Sequence, residues 1–181
     1  MAPIVHDFDW PDRFLVGTVG PPGARAFYLQ ARLGHDLISV ALEKQQCALL
    51  ADRIDELLDR FMAENGNPFS VPALAQPELI DSDPLDRPVE EQFHADAMGL
   101  GWDPSTVQVV IEAFGFDEPS TGDPVAAEPS EVLLVRIPVG AARAFAQQSR
   151  EVVGAGRAVC SLCGAPMDPG GHTCTLPDGF R

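Results

Sequence analysis

Basic residues are scarce in this sequence. Lys and Arg together number 12 against 27 Asp and Glu, a formal net charge of -15. Lys44 is the single lysine, and that bias, with the abundance of Ala, Gly and Pro, matches GC-rich coding. Nucleic-acid affinity comes largely from Lys and Arg displacing counterions, so a nucleic-acid partner is excluded on charge. An anionic membrane surface is excluded on the same ground. Long apolar runs are also missing: none reaches the ~18 residues of a membrane helix. Met1 to Phe14 carries His6, Asp7, Asp9, Asp12 and Arg13 with no apolar stretch, unlike a secretory leader, so the expected compartment is the cytoplasm. Cysteine is limited to four residues, three of them between Cys160 and Cys174, with Cys47 alone. Disulfides are rare in the cytosol, so the cluster points to metal or redox chemistry. No Gly-x-Ser-x-Gly elbow, His-Glu-x-x-His pair or recognisable carboxylate pair is present.

What is there suffices for a core. A chain of 181 residues removes ~70% of its unfolded surface on folding. Phe14 to Val19 is a short apolar stretch, and Gly20-Pro21-Pro22-Gly23 turns the chain. Ala24 to Leu33 alternates as a half-buried strand, with Phe27, Leu29, Ala31 and Leu33 on one face. Leu37 to Glu43 alternates again through Ile38, Val40 and Leu42. A helix is expected from about Gln45 to Met62, with Leu50, Ile54, Leu57, Leu58 and Phe61 on one face. Asn65 and Gly66 would end it. Residues 67–92 carry five prolines and read as a loop or linker. Phe93 to Trp102 is expected as one strand interrupted by Gly99 and Gly101, Thr106 to Phe114 as another. Residues 116–130 form a second acidic loop. Glu131 to Ile137 is the sixth strand, and a helix from about Gly140 to Val153 follows Pro138, closed by Gly154 and Gly156.

Shifted by 95 residues, Ile38, Val40 and Leu42 meet Leu133, Val135 and Ile137, while Leu50, Leu57 and Leu58 meet Phe145, Val152 and Val153. Ile54 falls on Ser149, a mismatch. Two explanations stand: an internal duplication covering about 13–66 and 93–156, or the likeness that any two strand-to-helix junctions share. Neither half can bury its apolar face alone. The expected fold is α+β, two βββα units built from antiparallel meanders with packed helices, in a domain of residues 1–156. A zinc-binding tail, 157–181, follows.

The tail carries the clearest chemistry. Cys160-Ser161-Leu162-Cys163 is followed after eight residues by His172-Thr173-Cys174. Three thiolates and an imidazole are an accepted tetrahedral zinc set, and a two-residue spacer lets both sulfurs of a knuckle reach one ion. Gly164 and Asp168-Pro169-Gly170-Gly171 supply turns. Four protein ligands leave no open position, so the expected role is structural. A redox Cys-x-x-Cys pair would leave Cys174 and His172 unexplained and lacks a thioredoxin-like context.

The remaining candidates are weaker. Gly17 to Gly23 with Arg25 resembles a phosphate cradle, but a strand follows where a P-loop needs a helix, so a hairpin turn is expected. His6, His35 and His94 stand alone and read as solvent or turn residues. Cys47, near a helix start, is read as a packed small residue. Trp102 in Gly99-Leu100-Gly101-Trp102-Asp103 is read as an anchoring aromatic. Between Glu78 and Glu131 only Arg87 is basic. That stretch could bind a basic partner or a divalent cation, and reads better as a solvated loop.

Three segments carry a family likeness: Gly17-Thr18-Val19-Gly20 with Phe27-Tyr28-Leu29-Gln30-Ala31, then Leu100-Gly101-Trp102-Asp103, then Cys160-x-x-Cys163-Gly164-x-Pro166-Met167-Asp168-Pro169-x-Gly171-His172-x-Cys174. Together they resemble the domain-of-unknown-function 3090 family, found mainly in actinobacteria, over nearly the whole chain. Ser161 stands where the family pattern has proline, and Thr175-Leu176-Pro177 where it has Pro-Arg; neither touches a ligand. The resemblance implies a gene neighbourhood with a phosphomutase-like phosphatase and a protein distantly similar to phosphoinositide kinases, and so a shared pathway. The functional expectation is a non-enzymatic adaptor with a protein partner. The alternative is an enzyme or small-ligand sensor with a pocket between the two βββα units.

Overall fold

The fold is that of a computed structural model, which describes residues 2–21, 23–117, 128–155, 160–163, 165, 167 and 171–174. Gly156, Gly164, most of the 116–130 loop, residues 168–170 and the end of the tail lie outside the described residues.

The architecture is α+β: two four-stranded sheets and two helices. Strands β2 (Arg13–Val19), β3 (Ala26–Leu33) and β4 (Asp36–Leu42) form an antiparallel meander that leads into α1 (Lys44–Met62). Strands β6 (Ala97–Asp103), β7 (Gln108–Gly115) and β8 (Glu131–Pro138) form another, leading into α2 (Val139–Gly154). A fourth strand enlarges each expected three-strand unit. β1 (Ile4–Asp9) precedes the first meander but pairs in parallel with β8 of the second. β5 (Glu91–His94) precedes the second meander but pairs in parallel with β4 of the first. The sheet orders are therefore β1-β8-β7-β6 and β2-β3-β4-β5.

Both exchanges correct the sequence reading. Met1 to Phe14 contains a strand that local pattern does not reveal, because only Phe8 is buried in it and its hydrogen-bond partner lies over a hundred residues away. Phe93 to Trp102 is not one strand. The chain crosses between sheets at Ala95 and Asp96, whose amides donate to Ala41 O (2.8 Å) and Phe114 O (2.9 Å). Gly99 and Gly101 lie inside β6 without interrupting it. Val107 belongs to the turn before β7, at a φ of 56°.

Core-facing residues of both sheets and both helices form one cluster, including Val16, Leu29, Val40, Leu58, Ile111, Leu133, Val135 and Phe145. The helices join through charge. Buried Arg143 donates to Asp55 (2.6 Å), Asp59 (2.9 Å) and Pro72 O (3.0 Å). Arg150 reaches Asp52 and Asp55. A buried cation is tolerable only when paired in this way. Gln148 of α2 lies along β2, accepting from Val16 N–H (3.2 Å) and donating to Val16 O (2.7 Å), and so covers the backbone of that edge strand.

The 67–92 loop is not a linker. Val71 is buried in the core, and residues 81–86 strap the outer face of β2 and β3. Asp81 accepts two bonds from Arg13 (2.7 and 3.0 Å), and Asp86 pairs with Arg13 (3.0 Å) and Arg32 (2.9 Å). The side chain of Gln30 brackets the Asp86 backbone, donating to its O (3.0 Å) and accepting from its N–H (2.7 Å). Leu85 fills the notch left by Gly17, where a β-carbon would sit 2.3 Å from Leu85 Cγ. β3 is consequently buried on both faces through Leu29, Gln30 and Ala31, not half-buried as its alternation suggests.

Candidate metal centre

The chain leaves α2 at Ala155, whose carbonyl accepts from Arg25 (2.7 Å). Cys160, Cys163, His172 and Cys174 then converge. Their ligand atoms all lie within 4.8 Å of one another. Cys163 Sγ is 3.2 Å from His172 Nε2, and Cys160 Sγ is 3.9 Å from Cys174 Sγ. A tetrahedral zinc with bonds of about 2.3 Å to sulfur sets sulfurs about 3.8 Å apart, so the spacing fits such an ion. The knuckle is closed by Cys160 N–H donating to Ala165 O (2.9 Å), and Leu162 N–H donates to Cys160 Sγ (3.4 Å).

Those donors give the sulfurs unequal acidity. Backbone N–H groups of Cys163 and Leu162 hold the Cys160 thiol below its usual value. The neighbouring Cys163 sulfur, then desolvation and Cys160, push Cys174 up to about 11. Three sulfurs this close cannot all ionise without a cation among them. The set is soft, closed and made wholly of protein ligands, which suits a metal held for structure.

Other singled-out residues fall elsewhere. Cys47 is buried in the core, its thiol pushed up to about 12 by desolvation, and takes no part. His6 pairs with Glu131 (2.8 Å) and stacks on Phe93; His94 meets Glu43 (3.2 Å); His35 is exposed in the β3–β4 turn. Gly20 and Gly23, at φ of 104° and 90°, turn the β2–β3 hairpin. Trp102 packs against Phe61 (4.5 Å) and Phe69 (5.0 Å), anchoring β6 to the end of α1. The acidic stretch after Glu78 is neutralised partly from outside itself, by Arg13 and Arg32. Local composition hid that pairing.

The family described as DUF3090, protein of unknown function, matches residues 6–174, a span that includes all four residues of the cluster. The chain belongs to the DUF3090 family. No curated protein and no solved structure matches it. This DUF3090 protein therefore has to be read from its own residues. Among its described residues no helix is long and apolar enough to cross a membrane.

Proposed function

We propose that this protein is a zinc-stabilised, non-enzymatic adaptor of the cytoplasm. The observation that carries the reading is the closed Cys160–Cys163–His172–Cys174 set, in which protein donors fill every tetrahedral position and leave none for substrate. The zinc staples the tail, whose described residues contribute nothing to the main apolar core and would hold little fold without a metal. Leu162, at the tip of the knuckle, is 71% exposed and offers an apolar contact beside the acidic body. The partner is a protein; the products of neighbouring phosphatase-like and kinase-like genes are the first to test.

We also read the body as an internal duplication in which each half lends its leading strand to the other. Supporting it, Ile38, Val40 and Leu42 and their counterparts Leu133, Val135 and Ile137 are all buried, and so are the mismatched Ile54 and Ser149. The apolar cluster draws on both halves, with Leu29 and Leu58 from one and Ile111 and Leu133 from the other.

Native mass spectrometry of the protein from its own host, without chelator, tests the adaptor reading. One zinc per chain with a stoichiometric partner, lost on Leu162→Ser, is expected. A reduced, folded protein without zinc overturns the metal assignment, and zinc without a partner overturns the adaptor.

A further inference from the structure

A groove of about 840 Å³ opens where β3, β4 and β5 meet the start of α1 and the end of α2. Its volume lies within the range of small-molecule sites. Arg25, Lys44, Tyr28, His94, Glu43 and Glu91 supply its polar lining. Two of these are cations of an unusual kind for this chain. Arg13, Arg32, Arg53, Arg136, Arg143 and Arg150 each pair with a carboxylate. Among the described residues Arg25 and Lys44 do not, although acids outnumber bases by more than two to one. Arg60 and Arg87 are also without an acid partner, but they lie apart, at the end of α1 and after the strap. Arg25 is half-buried and held in place by one bond to the Ala155 carbonyl, with no carboxylate at ion-pair distance among the described residues. Glu43 is committed elsewhere, to the capping box with Gln46 and to His94.

We infer that this groove is a binding site for a small organic oxyanion, a phosphate ester or a carboxylate. Arg25 presents a planar fork of donors and Lys44 a mobile point charge, the two complementary means of gripping an oxyanion. Tyr28, the only tyrosine of the chain, offers a ring and a hydroxyl on the same lining. Glu91 leaves one acceptor, suited to a hydroxyl or amino group of the same ligand. The inference goes beyond the adaptor reading and needs neither the zinc nor a protein partner.

The single lysine makes the test selective. Reductive methylation with ¹³C-formaldehyde places one side-chain reporter on Lys44, alongside the N-terminal amine. The full-length, zinc-loaded protein is titrated with phenyl phosphate, with benzoate, and with chloride at matched ionic strength. The Lys44 methyl resonance is expected to move saturably with at least one organic anion, half-saturating below about 1 mM. Response to phenyl phosphate alone identifies a phosphate ester site, response to benzoate alone a carboxylate site, and response to both a site selective for charge. Arg25→Gln should weaken binding about tenfold or more, while Arg60→Gln leaves it unchanged. Because Arg25 also braces α2, Lys44→Gln, read by calorimetry on unlabelled protein, gives an independent loss. Equal movement with chloride, a response that never saturates, or undiminished binding by folded Arg25→Gln or Lys44→Gln protein overturns the inference.

Discussion

Replacing Gly17 by Ala tests whether the acidic strap is part of the folded body. A β-carbon at residue 17 would lie 2.3, 2.5 and 2.9 Å from Leu85 Cγ, Cδ2 and Cδ1. All three are well inside contact distance, so the strap must withdraw by about an ångström. It is tied down by Arg13 on Asp81 and by Gln30 on Asp86, so withdrawal strains those bonds. Overpacking of this kind costs about 1–3 kcal/mol. Gly17 has no positive φ, so Ala returns about 0.4–1 kcal/mol by restricting the unfolded chain. The net expectation for Gly17→Ala is a loss of about 1–2 kcal/mol. Leu85→Ala alone should cost about 2–3 kcal/mol, the lower end for a buried leucine, because Leu85 sits at the rim of the fold. In the double variant the new methyl enters the space that the leucine vacates. The overpacking term then vanishes, and the two losses fall short of additivity by about 1–3 kcal/mol. Urea unfolding of the four proteins measures this, provided their m-values agree. In a chain of this size each kcal/mol also moves Tm by about 2–4 °C. Additivity within about 0.5 kcal/mol, or a Gly17→Ala protein as stable as the parent, would refute the docked strap.

Three further outcomes follow from named contacts. Arg143→Ala should lose about 1–3 kcal/mol because the Pro72 carbonyl loses its donor and half-buried Asp55 keeps only Arg150; Arg143→Met restores most of the volume but leaves the same acceptors unpaired, so it should lose nearly as much, and an Arg143→Met urea midpoint equal to the parent's would refute a role for the buried charge. Asp81 is held below the ordinary carboxyl range, chiefly by its hydrogen bonds from Arg13. A depressed folded value means that its stabilisation is present above the unfolded pKa of about 3.9 and is lost as pH falls through the folded value. Asp81→Asn should therefore be less stable than the parent at pH 7 and approach it near pH 3; a gap independent of pH would count against the Arg13 pair. If the cluster holds zinc as proposed, chelation or Cys174→Ser should abolish its binding and expose the amides of Cys160 and Leu162 to hydrogen exchange, while β7, β8 and α2 stay protected. Cooperative loss of protection across the body would show that the metal holds more than the tail.

The sequence made visible whatever depends on neighbours close along the chain. Both helices and the antiparallel strands were read to within a few residues, because their periodicity is local. The Cys3His cluster was legible for the same reason: fifteen consecutive residues contain all four of its members. The misreadings share the opposite property. β1 carries one buried side chain, and its ladder to β8 is closed from the far end of the chain. β5 and β6 read as one strand because Phe93 to Trp102 is continuously apolar enough, and nothing local records that Ala95 changes sheets. The strap was taken for a solvated acidic loop because Arg13 and Arg32 lie about fifty residues or more upstream of the carboxylates they neutralise. Gln30, a polar residue that alternation assigns to the face opposite Leu29 and Ala31, is buried because it satisfies a distant backbone instead, as Gln148 of α2 does for Val16. In this chain such polar side chains add long-range ties to those of the shared apolar core. Arg25 and Lys44 are a further case: the glycine-rich turn before Arg25 reads locally as a hairpin, and only the fold brings the two cations to one groove.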